Sequence, residues 1–270
     1  MKKYVHFRGK KIFYSEKGNG KAVILVHGYL ESGEVWDPLA VKLAEKFRVI
    51  QVDLPGHGGS DIYEDTHRME FMAVVLEGLM NTLGIGKAFI TGHSLGGYIT
   101  LAFLEHFPEK LAGYSLFHSH PFADSQEVIR KREREILVVR AGKKFLIYPD
   151  NVKRMFADSN LPAMYTQLER SKRIASEISA EGIIAVLKGM MLRPTRLSLM
   201  EAGRVPCLWI LGRHDNYISC EAMKERVKLP SNAELALLEN SGHLGFVEET
   251  QASADQLIGF IDRHANWIVS

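Results

Sequence analysis

"TGHSLGGY" occupies residues 91–98, directly behind the apolar run Lys87–Ile90, "KAFI", and ahead of "YITLAFLEHF". An apolar run that stops at a serine set between glycines, then gives way to helical periodicity, reads as strand, sharp turn, helix. Gly92 and Gly96 stand where side chains would collide with the strand and the helix. Ser94, at the apex, is expected to hold a strained backbone conformation with its hydroxyl exposed, as a nucleophile needs. Gly97 allows further close packing.

A serine hydroxyl attacks poorly unless a base takes its proton. The chain has 11 histidines, so position must choose among them. His243, in "ENSGHLGFVEE", follows the apolar stretch "AELALLE" and precedes the last helical pattern. It is therefore expected on a loop at the same sheet edge as Ser94. An acid should hold the imidazole in the right tautomer. Asp215, in "LGRHDNYIS", follows the run "VPCLWILG" and is the first candidate. Asp124, after "SLFH", is a rival.

The remaining runs extend the pattern. Residues 4–8 and 11–16 alternate around Gly9-Lys10 and predict an edge hairpin. Continuous apolar runs at 21–28, 47–53, 87–93, 110–118, 205–212 and 233–240 suit strands buried on both faces. Helical patterns lie near 34–46, 67–83, 98–107, 219–227 and 246–264. Such alternation predicts an α/β fold, a mostly parallel central sheet with helices on both faces. Between Ser119 and Arg204 no strand pattern appears, only three helical ones. We expect a helical lid inserted after the sixth strand, over the edge where open α/β sheets bind ligands. The core would then be 1–118 with 205–270, and the lid 119–204.

Composition permits this and narrows the setting. The 270 residues are 46% hydrophobic and carry a net charge of +2. No apolar run approaches the length of a membrane span, and "MKKYVHFRGKK" lacks the apolar core of a secretion signal. Cys207 and Cys220 have no metal-type spacing and read as reduced packing residues, consistent with a cytoplasmic address. "DLPGHGGS" (53–60) lacks the lysine of a phosphate-binding loop.

The order Ser94, Asp215, His243, with "LVHGYLESGEVWDPLA" and "VIQVDLPGHGGSD", resembles the α/β-hydrolase-fold serine hydrolases. The likeness covers most of 20–118 and 204–264, and the lid carries no matching motif. It implies a carboxylesterase-like enzyme with Ser94 as nucleophile, and an oxyanion hole from the backbone N–H groups of Tyr29 and Leu95. His27 and His93 resemble the family's scaffold histidines. The resemblance implies no metal or organic cofactor. Hydrolysis of an ester or thioester is the main expectation. A C–C bond hydrolase and a low-turnover ligand-binding receptor are alternatives on the same fold.

Substrate contacts are expected from His118 and His120 at the hand-over to the lid, and from Met155, Met164 and Met191 within it, since Met and aromatic groups suit adaptable apolar pockets. They would serve equally as the lid's own core. From Ser119 to Arg204 there are 16 Lys and Arg against 10 Asp and Glu. Solvated helix faces account for such runs. An acidic partner such as acyl carrier protein, or coenzyme A, would also suit them.

Overall fold

The computed structural model describes residues 3–264. Eight strands form one sheet in the order β1-β2-β4-β3-β5-β6-β7-β8. They are β1 Lys3–Phe7, β2 Lys10–Lys17, β3 Ala22–Val26, β4 Arg48–Val52, β5 Ala88–His93, β6 Leu111–Phe117, β7 Cys207–Gly212 and β8 Ala233–Leu238. β1 and β2 are antiparallel, β2 runs antiparallel to β4, and every later pair is parallel. The hairpin turns one residue earlier than the alternation suggested. Arg8 and Gly9, at φ 48° and 79°, make the two-residue turn whose twist matches the strands.

The central strands are apolar throughout because both faces are covered. β3, β5, β6 and β7 are buried at every position, and each fully buried Val, Leu or Ile contributes roughly 1.5–3 kcal/mol. The covering helices are α1 Asp37–Leu43, α2 Met69–Thr82, α3 Leu95–His106, α9 Cys220–Arg226, α10 Gly245–Glu248 and α11 Thr250–His264. The single pattern expected over 246–264 is two helices, broken at Glu249, whose φ of −128° and ψ of 57° leave the helical region. Cys207 and Cys220 are free and buried, as expected of packing residues.

Between β6 and β7 no strand occurs among the described residues. The interval holds α4 Gln126–Arg140, α5 Tyr148–Met155, α6 Tyr165–Glu177, α7 Ala180–Met191 and α8 Leu197–Glu201. The middle helical pattern of the sequence is thus two helices, separated by Phe156–Met164. α4 packs on α7 and α5 on α6. The segment is tied to the covering layer by the N–H of His67, just before α2, donating to the Ala185 carbonyl (2.9 Å) and by Arg170 on Asp37 of α1 (2.9 Å). No helix among the described residues is long and apolar enough to cross a membrane.

Candidate active site

Ser94 sits between β5 and α3 with φ 47° and ψ −109°, a region costly for any residue with a Cβ. Its neighbours hold it there. The Ser94 N–H donates to the Phe117 carbonyl (3.0 Å), and the Ser119 hydroxyl donates to the Ser94 carbonyl (2.7 Å). The glycines are steric necessities. A Cβ on Gly92 would lie 2.2 Å from the Gly96 carbonyl oxygen, and one on Gly96 would lie 2.2 Å from the Val26 carbonyl oxygen. Both obstacles are backbone and cannot rotate away. Gly96→Ala is therefore expected to cost about 3 kcal/mol or more, measured by denaturant unfolding. A loss under 1 kcal/mol would place the tight turn elsewhere.

His243 lies on the loop between β8 and α10 and is 3% exposed. Its Nδ1–H donates to Asp215 Oδ2 at 2.7 Å, and its backbone N–H donates to the Met155 carbonyl at 2.6 Å. With Nδ1 so engaged, Nε2 is the ring nitrogen left to exchange a proton. Asp215 accepts at its other oxygen from the N–H groups of Tyr217 (2.7 Å) and Ile218 (3.0 Å). Burial alone would raise this carboxyl, but the His243 imidazole, its hydrogen bond and the Tyr217 N–H hold it at about 2. The rival Asp124 is occupied elsewhere, with Arg132 and Arg193 each 2.8 Å from it.

His118, expected at the substrate, is instead fully buried beside Asp215. Its Nε2 accepts the Gly245 N–H (3.0 Å), so the proton of the neutral ring is on Nδ1, 3.6 Å from Asp215 Oδ2. That is too long for a hydrogen bond. Burial, opposed by Asp215, pushes the His118 pKa well down, so the contact is a dipole beside a carboxylate and not an ion pair.

The loop after β3 carries Tyr29 and is braced from below. Glu31 accepts the Gly28 N–H (2.6 Å) and meets His93 Nδ1 (2.9 Å), while His93 Nε2–H donates to the His243 carbonyl (2.8 Å). The Leu54 N–H donates to His27 Nε2 (3.0 Å), whose Nδ1–H donates to the Gly28 carbonyl (2.8 Å). His27 and His93 are thus hydrogen-bonded inside the scaffold, and burial lowers His27 to about 3. Glu31 went unnoticed in the sequence. Burial works to raise its carboxyl, but His93 and the Gly28 N–H hold it below the usual range. It joins the Tyr29 loop, the end of β5 and, through His93, the His243 loop. One acid in a loop gives no sequence signal of that.

Ser94, His243 and Tyr29 line one cavity of about 350 Å³. Of the five expected substrate contacts, His120 and Met155 also line it. Met164 and Met191 do not, and Met190 lines it in place of Met191. Successive helical residues point about 100° apart, so "MM" alone does not say which one faces inward. Tyr217 and the α4–α5 residues Lys131, Glu135, Asn151 and Arg154 line it as well. Their runs read as polar helix surface.

A family model for the alpha/beta hydrolase fold matches residues 21–250, and the chain belongs to that family. It is 28% identical to the 2-hydroxy-6-oxononadienedioate/2-hydroxy-6-oxononatrienedioate hydrolase of Burkholderia vietnamiensis, over 94% of this chain and 91% of that one. It is 25% identical to the pimeloyl-[acyl-carrier protein] methyl ester esterase of Vibrio cholerae, over 93% and 98%. Among solved structures, a thermophilic esterase from Thermogutta terrifontis superposes with a TM-score of 0.93 at 26% identity, covering 98% of this chain and 100% of that one.

Proposed function

We propose that the protein hydrolyses a carboxylic ester or thioester through an acyl-enzyme on Ser94. The observation that carries this is the 2.7 Å His243–Asp215 pair lining, through His243, the same cavity as a serine on a strained turn. Ser94 Oγ attacks the acyl carbonyl while His243 Nε2 takes its proton. The backbone N–H groups of Tyr29 and Leu95 receive the oxyanion, Leu95 from the first turn of α3, where the helix dipole favours negative charge. His243 passes the proton to the leaving group, then activates water to release the acid. A fluorophosphonate probe should label Ser94 and no other serine, by peptide mapping. A label elsewhere would sink the assignment.

Residues 119–204 act in this reading as a lid over the site, since α4, α5 and α7 supply cavity wall. Met155→Ala is expected to change the ratio of rates on short and long acyl esters, by about 1–3 kcal/mol at most. Met164→Ala and Met191→Ala should leave that ratio alone. Three equal responses would make Met155 mere lid core.

The Burkholderia relative supports cleavage of a C–C bond as the second reading. Comparing a simple ester with a vinylogous diketone separates the two. An acyl carrier as substrate has support from the name of the Vibrio relative, but less from the lid's charge than the sequence implied. Arg170 and Arg173 are engaged with Asp37 and Glu34, and Lys144 donates to the carbonyls of Ser176 (2.8 Å) and Ile178 (2.6 Å).

A further inference from the structure

Most cations of the 119–204 segment that approach the core have a carboxylate. Arg132 and Arg193 share Asp124, Arg170 meets Glu34 and Asp37, and Arg196 lies between Glu70 and Glu105. Two cations on the cavity wall differ. Lys131 on α4 and Arg154 on α5 line the cavity and are exposed. Among the described residues neither side chain has a carboxylate within ion-pair distance. Both flank Tyr217, with Arg154 Cζ 5.3 Å and Lys131 Nζ 6.0 Å from the centre of its ring. That ring is itself 5.1 Å, centre to centre, from the His243 imidazole.

The acids of the wall have other partners or face solvent. Asp124 is one carboxylate against two guanidinium groups. Glu135 accepts the Tyr29 hydroxyl (2.8 Å) and the Asn151 amide (3.0 Å), and burial pushes its carboxyl up while Arg132 and Lys131 nearby pull it down. Glu127 is the remaining acid on the wall, and it is exposed. The Tyr217 hydroxyl donates to the Asn151 carbonyl (2.9 Å), so the two cations are what favours an anion here.

Their place beside His243 says which part of the substrate bears it. In the esterase reading, on which this inference rests, His243 delivers the proton taken from Ser94 to the departing oxygen or sulfur. We propose that the leaving group of the physiological substrate is anionic, and that Lys131 and Arg154 hold its carboxylate or phosphate beside Tyr217. The Ser94 Oγ–acyl bond forms and the bond from acyl carbon to leaving group breaks. The leaving group departs as a hydroxy acid, or as a phosphate-bearing thiol, with the proton from Ser94. Water then releases the acyl group as the free acid.

The test compares acetyl esters and thioesters, with one control whose acyl group is charged. 4-Acetoxybutyrate carries a carboxylate on the leaving side and acetyl-coenzyme A carries phosphates there, while butyl acetate and S-butyl thioacetate are their neutral ester and thioester counterparts. Monomethyl glutarate puts the carboxylate on the acyl side. At least one of the two anionic substrates should exceed its neutral counterpart in kcat/KM by about tenfold, the scale of two partly exposed ion pairs, mostly through KM. Which one does so identifies carboxylate or phosphate. Lys131→Gln with Arg154→Gln should lower kcat/KM for the preferred anion about tenfold further than for its neutral counterpart. The preference should also shrink in 0.5 M salt. As a readout independent of turnover, 4-hydroxybutyrate or coenzyme A should bind the Ser94→Ala protein more tightly than butanol does by calorimetry. Equal rates on anionic and neutral leaving groups, a preference confined to monomethyl glutarate, or equal losses in the double variant would overturn the inference and leave the esterase reading standing. Hydrolysis that persists in Ser94→Ala would overturn both.

Discussion

Ser94→Ala is expected to yield a folded protein whose ester hydrolysis is down by roughly 10³- to 10⁶-fold. The side chain has little structural duty, since the turn is held through the Ser94 backbone N–H and carbonyl. Alanine keeps those contacts and removes only the attacking oxygen. His243→Ala should cost a similar factor, because acyl transfer by a hydroxyl needs a base. Asp215→Asn should cost on the order of 10⁴-fold, for a reason visible in the geometry. Two backbone N–H groups, of Tyr217 and Ile218, already point at Oδ1. The asparagine carbonyl must take that place, which turns its NH₂ towards His243 Nδ1. Nδ1 then has to accept, the ring proton moves to Nε2, and Nε2 can no longer take a proton from Ser94. Initial rates on a short p-nitrophenyl ester, with circular dichroism to confirm folding, check all three. Undiminished activity in Ser94→Ala would end the mechanism.

Acid should unfold the protein well above the range in which carboxylates titrate. Burial lowers His27 and His120 to about 3 and His67 to about 4. It also lowers His57 and His118. In the unfolded chain these imidazoles take a proton near pH 6.5. The unfolded state therefore binds more protons between about pH 6.5 and pH 3–4, and stability falls as pH falls through that window. At pH 5 each of the three numbered groups contributes a loss of ~2 kcal/mol, so together about 6 kcal/mol, a large part of an ordinary domain's stability. Asp215, held at about 2, adds a loss only below pH 4. Glu135 and Glu248 work the other way, because burial raises them and the fold holds their protons more tightly. Denaturant unfolding at pH 5 and pH 7.5 should show the midpoint collapsing at the lower value. Equal midpoints would mean that these histidines are not buried neutral in solution.

The sharp turn at Ser94, the loop positions of Asp215 and His243, and the strands themselves were legible in the chain because each rests on local pattern. Alternation and apolar runs define strands, glycines mark where backbones must touch, and the end of each parallel strand marks one edge of the sheet. The resemblance to α/β-hydrolases then ordered Ser94, Asp215 and His243 without coordinates. Only the tertiary structure decided what depends on which helix face turns inward and which distant charges meet. It chose Met190 over Met191, and placed His118 beside Asp215 instead of in the cavity. It also engaged Arg170 with Glu34 and Asp37, and set Glu31 against His93. These are contacts between segments up to 136 residues apart. A side chain's partner at that range is set by packing of whole elements, and neither its own identity nor its neighbours in sequence encode it.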